Sequence, residues 1–164
     1  MVATAEEVAN LVASGAEHVG NLVDLALVHA NKHAVREGGG IASIVALLPL
    51  AASSEPLVGA RRTSTVVSAL WSLCANSSAN QDAIRHSGGI ARLVAQLARP
   101  GRAEVPDLAA YTAGALWCLV SNNTANQHAV REAGGIAALI AVLAAATVAD
   151  EPQPEAAYHA VRAC

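Results

Sequence analysis

Apolar residues fall at every third or fourth position through IAALIAVL (136–143), and the same spacing recurs in IARLVAQL (90–97) and IASIVALL (41–48). That period belongs to the α-helix, whose side chains return to one face every 3.6 residues, and not to the two-residue alternation of a half-buried strand. A Gly pair precedes each stretch: Gly39-Gly40, Gly88-Gly89 and Gly134-Gly135. Glycine takes the positive φ of a sharp reversal and lets two helices approach closely, so each pair predicts a break between helices. Ahead of each pair runs a short polar segment such as QHAVRE, with one apolar residue per turn. Asn31, Asn80 and Asn126 head these segments and are read as helix caps.

A Pro- and Gly-containing loop follows each medium stretch, PLAASSEPLVGA (49–60) or ARPGRAEVPD (98–107). The unit then closes on a longer helix, TVVSALWSLCAN (65–76) or AYTAGALWCLVSN (110–122). Each unit thus reads as a short, a medium and a long helix. The heading Asn residues are 49 and 46 residues apart, a period characteristic of helical solenoids. No such unit buries its apolar face alone, whereas stacked neighbours build one continuous core.

Composition sharpens this picture. The 164 residues are 54% hydrophobic but only 2% aromatic, with no Phe and 39 Ala, so burial proceeds through many small contacts on strong helix formers. Net charge is −3 and no basic run exceeds Arg61-Arg62, which argues against nucleic acid as partner. The N-terminal MVATAEEVAN is acidic and unlike a signal peptide, and apolar runs are interrupted well before bilayer length, so no membrane span is expected. Cys74, Cys118 and Cys164 are odd in number and widely spaced, which does not suit a disulfide framework. The expectation is an intracellular protein with reduced thiols, cytoplasmic, with the nucleus also open.

ALWSLCANSSANQDAIRHSGGIARLVAQL (69–97) and ALWCLVSNNTANQHAVREAGGIAALIAVL (115–143) resemble armadillo repeats, the family of β-catenin, importin-α and many plant, algal and protist scaffold proteins. The resemblance covers almost the whole chain. HEAT repeats have a similar period but two-helix units, without the short helix and Gly pair. The resemblance implies an all-α, right-handed α-solenoid of about three and a half three-helix repeats. Its units are a partial repeat over 2–28 lacking the short helix, repeats over 29–77 and 78–123, and a last repeat over 124–164. Tyr158 follows Tyr111 by 47 residues, which sets Cys164 opposite Trp117 and truncates the last long helix. Ile136, Leu139, Ile140 and Leu143 are then expected to have little cover. A fragment of a longer array, or a homodimer sealed through the uncapped ends, would account for this.

The same resemblance implies a non-catalytic scaffold whose long helices line a concave groove for an extended peptide or a partner helix. Helical spacing names the groove face: Ser64, Ser68, Trp71, Ser72 and Ala75 with Asn76 at the rim, then Ala110, Gly114, Trp117, Cys118 and Ser121 with Asn122 beside them. On the first unit the face is Gly20, Val23, Asp24 and Leu27. The opposite stripe, Val67, Leu70, Leu73 and Cys74, then Ala113, Leu116, Leu119 and Val120, is assigned to the core. Trp supplies a flat apolar wall for ligand side-chain stems, and Asn amides both donate to and accept from a peptide backbone. Importin-α places an Asn four residues after its Trp. Here Ala75 and Ser121 hold those positions and Asn76 and Asn122 come one residue later, about 100° around the helix. With only Asp24 and Asp107 as acidic groups near this face, a basic nuclear-localisation peptide is a poor fit. A packing role for Trp71 and Trp117, as wedges between long helices, stays open beside the groove role.

Other constellations are weaker. His29 and His33 are four apart, as zinc ligands on one helix face are, but no third ligand is evident. Arg36, Arg85 and Arg131 recur at one place in each unit, as do His33, Asp82 and His128, and both columns are read as inter-repeat ion pairs on a solvated face. Gly38-Gly39-Gly40 lacks the preceding strand and following Lys-Ser/Thr of a phosphate loop. Neither Cys74 nor Cys118 has a His at a fixed offset, so no nucleophile–base pair and no cofactor are expected. The competing reading of function is structural: a segment of a larger array whose exposed ends drive self-association.

Overall fold

The computed structural model describes residues 2–14, 19–49, 58–98, 106–148, 159 and 161–162. The chain is all-helical, with no strand among the described residues. Helices α1 (Ala5–Ala13) and α2 (Val19–Leu27) come first. A short 3-10 turn, His29–Asn31, leads into α3 (Lys32–Glu37), α4 (Gly40–Ala46) and the long α5 (Val58–Cys74). The short, medium and long sequence then repeats as α6 (Ser78–His86), α7 (Gly89–Ala98) and α8 (Pro106–Val120), and begins again with α9 (Thr124–Glu132) and α10 (Gly135–Val148). Long helices pack side by side, α2 on α5 and α5 on α8, while each medium helix meets the next short one, α4 on α6 and α7 on α9.

The Gly pairs work by two different means. Gly39, Gly88 and Gly134 have φ of 75°, 75° and 77°, the left-handed turn that separates short from medium helix. The second glycine is needed for space. A Cβ on Gly135 would lie 2.5 Å from Val130 Cγ1 and 3.2 Å from Val94 Cγ2, so the pair also sets how closely α10 approaches α7.

Both long helices begin earlier and end earlier than the periodicity suggests. Val58–Ala60 and Pro106-Asp107, read as loop, are helical, and Pro suits the first helical position because it lacks an N–H that would have no partner there. Asn76 and Asn122 lie outside α5 and α8, with φ of 55° and 56°: each takes the left-handed conformation that terminates a helix.

The Asn residues heading each unit are not caps. Ser77 and Asn123 cap α6 and α9, accepting from the backbone N–H of Asn80 and Asn126. Asn31 fills the cap position of α3 without making a side-chain cap bond. Asn31, Asn80 and Asn126 are instead fully buried. Asn80 Nδ2 donates to Leu73 O (2.9 Å) and Lys32 O (3.3 Å), and Asn126 Nδ2 repeats this with Leu119 O (2.9 Å) and Gln81 O (3.3 Å). Each amide therefore ties its own short helix to both the long and the short helix of the preceding unit. Such buried amides persist because every polar atom is satisfied.

The core stripe is as the spacing predicts: Val67, Leu70, Leu73 and Cys74 on α5, and Ala113, Leu116, Leu119 and Val120 on α8, are all buried. Two expectations near the ends differ. Val23, assigned to the groove, is buried in the core, and Leu139, expected to be uncovered, is fully buried against it. Ile136 and Ile140 on the same helix are 40% and 54% exposed. No single helix among the described residues is long and apolar enough to cross a membrane.

Candidate functional site

The faces of α5 and α8 that turn away from the core carry the two tryptophans. Both are half-buried and pack against the core, so wall and wedge are one position here. Gly114 favours the arrangement: a Cβ there would lie 3.0 Å from the Trp71 ring, so any side chain would require the indole to give by a few tenths of an ångström. Tyr111 supports the same indole, ring centroids 6.4 Å apart and tilted by 50°.

Between Trp71 and Trp117 lies a cleft of about 610 Å³. Seven of the expected groove residues line it: Trp71, Ala75, Asn76, Trp117, Cys118, Ser121 and Asn122. Ser68 and Ser72 are half-buried outside it, and Gly114 is buried beneath the indole. Cys118, though lining the cleft, is 9% exposed and forms part of its floor. A second cleft of about 510 Å³ continues over Trp117, sharing Ser121 and Asn122 and adding His128, Arg131 and Ile136. Among the described residues neither lining contains a carboxylate. Asp24 is exposed on α2, and the side chain of Asp107 lies outside the described residues.

Two residues near the C-terminus enter this site, and helical spacing alone did not single them out. His159 meets Trp71 edge-on (4.9 Å between centroids, 82°) and Trp117 at 5.7 Å. Arg162 places its guanidinium 4.5 Å from the centroid of the Trp117 ring and lines both clefts. Cys164 and Tyr158, on which the last long helix was aligned, lie outside the described residues.

Polar ladders hold the walls in place. Arg36 Nη1 donates to Asn80 Oδ1 (3.4 Å), and Arg85 Nε donates to Asn126 Oδ1 (2.8 Å). Two members of the arginine column, Arg36 and Arg85, thus reach across units to buried amides rather than to carboxylates. The ion pairs that do form are within units, Arg36–Glu37 (3.4 Å) and Arg85–Asp82 (3.2 Å). Asp82 is held below its ordinary pKa chiefly by the amide of Asn123, with Arg85 adding to the effect. The His33 and His128 members of that column are also local, His33 pairing with Glu37 at 3.2 Å and His128 Nδ1 accepting from Arg131 at 2.9 Å.

A second ladder starts one residue after each buried Asn. Lys32 Nζ donates to Ala75 O (2.8 Å), and Gln81 Nε2 donates to Cys118 O (2.9 Å) and Ser121 O (3.4 Å). These carbonyls close the C-terminal ends of α5 and α8, where helical partners run out. Gln127, in the same register, donates instead to Val120 O of the preceding unit (3.1 Å). The recurrence of Lys32, Gln81 and Gln127 after the Asn was visible in the sequence, but their reach into the groove wall was not. Among the described residues no three His, Cys, Asp or Glu converge on a metal position.

No protein-family model matches the chain, and no curated protein does. Solved structures do match. One is the crystal structure of an engineered protein from a structural genomics consortium, with a TM-score of 0.70 and 22% identity over 97% of this chain. The chain spans 60% of that protein's length. A likeness at this identity shows the fold alone, an all-helical one.

Proposed function

We propose that the chain is a non-catalytic protein-interaction module of armadillo type, a right-handed solenoid of the cytoplasm that holds an extended peptide across α5 and α8. The observation that carries this reading is the pairing of Trp71 and Trp117 around one open cleft, with Asn76 and Asn122 at its rim. Arg162 supports it, because its stacking on Trp117 is the contact that a long side chain of a bound peptide would make. Among the described residues the lining offers Arg131, His128 and Arg162 and no carboxylate, which favours a neutral or acidic ligand over a basic one.

The test uses Asn76→Gly with Asn122→Gly. Glycine keeps the left-handed turn and deletes the amide. Peptides selected from a displayed library against the wild type are expected to lose about tenfold in affinity, about 1.4 kcal/mol, on the double variant. Equal binding by both proteins, or enrichment of lysine-rich peptides, would refute the reading.

Self-association is the second reading, favoured by the exposure of Ile136 and Ile140 on α10. It predicts a concentration-dependent dimer in light scattering that Ile136→Ser with Ile140→Ser abolishes. A wild type that stays monomeric refutes it.

A further inference from the structure

Cys74 and Cys118 stand on adjacent long helices beneath the groove, both as free thiols. Cys74 is fully enclosed, its Sγ 3.2 Å from Trp71 O and 4.0 Å from Ala115 O, one turn before Cys118 on α8. That contact sets the two thiols at the same level of the α5–α8 interface. Cys118 lines the cleft and so meets small solutes. The Lys32 ammonium, tethered at 2.8 Å to Ala75 O, lies close enough to act electrostatically on both sulfurs. We propose that Cys74 and Cys118 are a redox-active dithiol, in which Cys118 is the sulfur that a peroxide oxidises and Cys74 the thiol that resolves it to a disulfide.

The environment divides the roles. The Cys118 thiol is lowered from its ordinary pKa, first by the hydrogen bond from Cys74 and then, against the opposing effect of burial, by Lys32. Burial pushes the Cys74 thiol well above its ordinary value, with its hydrogen bond to Cys118 acting the same way. Thiolate, not thiol, is the nucleophile, so the accessible, acidified member reacts first. The Cys118 thiolate attacks a peroxide oxygen, an S–O bond forms, the O–O bond breaks, and hydroxide leaves to be protonated to water. Cys74 then attacks the sulfenic sulfur, the S–S bond forms, the S–O bond breaks, and the departing hydroxide takes the Cys74 proton as a second water. The two thiols lose two electrons and hydrogen peroxide gains them.

The full chain is treated with hydrogen peroxide, blocked with N-ethylmaleimide, digested with trypsin and mapped by mass spectrometry. The expected product is peptide 63–85 joined to peptide 103–131, two hydrogens short of their sum and separated again by reductant. Cys74→Ala should halt the reaction at a Cys118 sulfenic acid that dimedone traps. Lys32→Met should move the pH midpoint of Cys118 alkylation upward. A Cys74 recovered as its maleimide adduct after peroxide, a Cys118 driven to sulfinic acid in the wild type, or Cys118 paired with Cys164 instead would each overturn the dithiol. An unmoved alkylation midpoint would remove Lys32 from it.

Discussion

The arginine ladder offers a comparison in which one residue type occupies one position in three units and only its partner changes. Arg85→Ala removes a 2.8 Å bond to Asn126 Oδ1, an oxygen enclosed with the rest of that fully buried side chain. A charge-assisted hydrogen bond of this kind contributes about 1.5–3 kcal/mol, and the loss includes the cost of leaving a buried acceptor short of a donor. The Arg85–Asp82 pair is part-exposed and adds at most about 0.5 kcal/mol. Arg36 makes the same reach at 3.4 Å, long enough that about 1 kcal/mol is expected. Among the described residues Arg131 bonds to His128 alone, on an exposed face, and its removal should cost under about 0.5 kcal/mol. The predicted order is Arg85, then Arg36, then Arg131, with about 2 kcal/mol separating the extremes. Urea unfolding followed by far-UV circular dichroism measures this; with a slope of about 2 kcal/mol per molar, the Arg85 midpoint falls about 1 M below that of Arg131. Equal losses at Arg85 and Arg131 would refute the ladder, since the two differ in having or lacking a buried amide ahead of them.

Further tests address single residues. Gly134→Ala should lose about 1–2 kcal/mol from its positive φ and be rescued by Gly134→Asn, whereas Gly135→Ala should lose about 2–3 kcal/mol from the Val130 clash with no rescue by Asn, both read from thermal melts. Asn122→Ala should lose about 1 kcal/mol of stability that Asn122→Gly keeps, because only the former strains the turn. Asp82 has a depressed folded pKa, so its contribution is present above its unfolded value, near pH 4, and is lost as pH falls through the lower folded value. The stability gap between wild type and Asp82→Asn should therefore close on acidification in a urea series, and a gap that stays constant would exclude the Asn123 and Arg85 contacts as its source.

How much of this was legible in the sequence depends on the range of each interaction. Helix type, unit order, the Gly breaks and the α5 and α8 core stripes follow from local spacing, because a 3.6-residue period shows which face must be buried. The buried Asn residues were misread for a physical reason. Asn heads a helix well as a cap, and nothing within a few residues of Asn80 or Asn126 tells that Ser77 or Asn123 already caps, leaving the later amide to bridge units. Arg85 meets Asn126 from 41 residues away and Gln81 meets Cys118 O from 37. Recurrence flagged these columns, but partner identity needed the fold. His159 and Arg162 were hidden for the same reason, since their groove contacts come from packing and not from period.

If the cleft takes a peptide as proposed, the dual position of the tryptophans links stability to binding in a way neither role alone would. Trp71 lies on Gly114 and touches Tyr111 and His159, so its ring helps set the separation of α5 and α8 while forming one wall of the cleft between them. A ligand that fills that cleft would cover the exposed part of both indoles and rest on helix ends held by Lys32 and Gln81, each from the short helix of the same unit. Under the proposed reading, binding energy would be delivered to the joint between neighbouring units, the place where a stacked array opens first. Ligand and inter-unit ladder stabilise the same joint. Loosening the ladder at Arg36, whose bond to Asn80 crosses that joint, should accordingly weaken the proposed peptide binding even though Arg36 does not line the cleft, and tightening the joint should strengthen it.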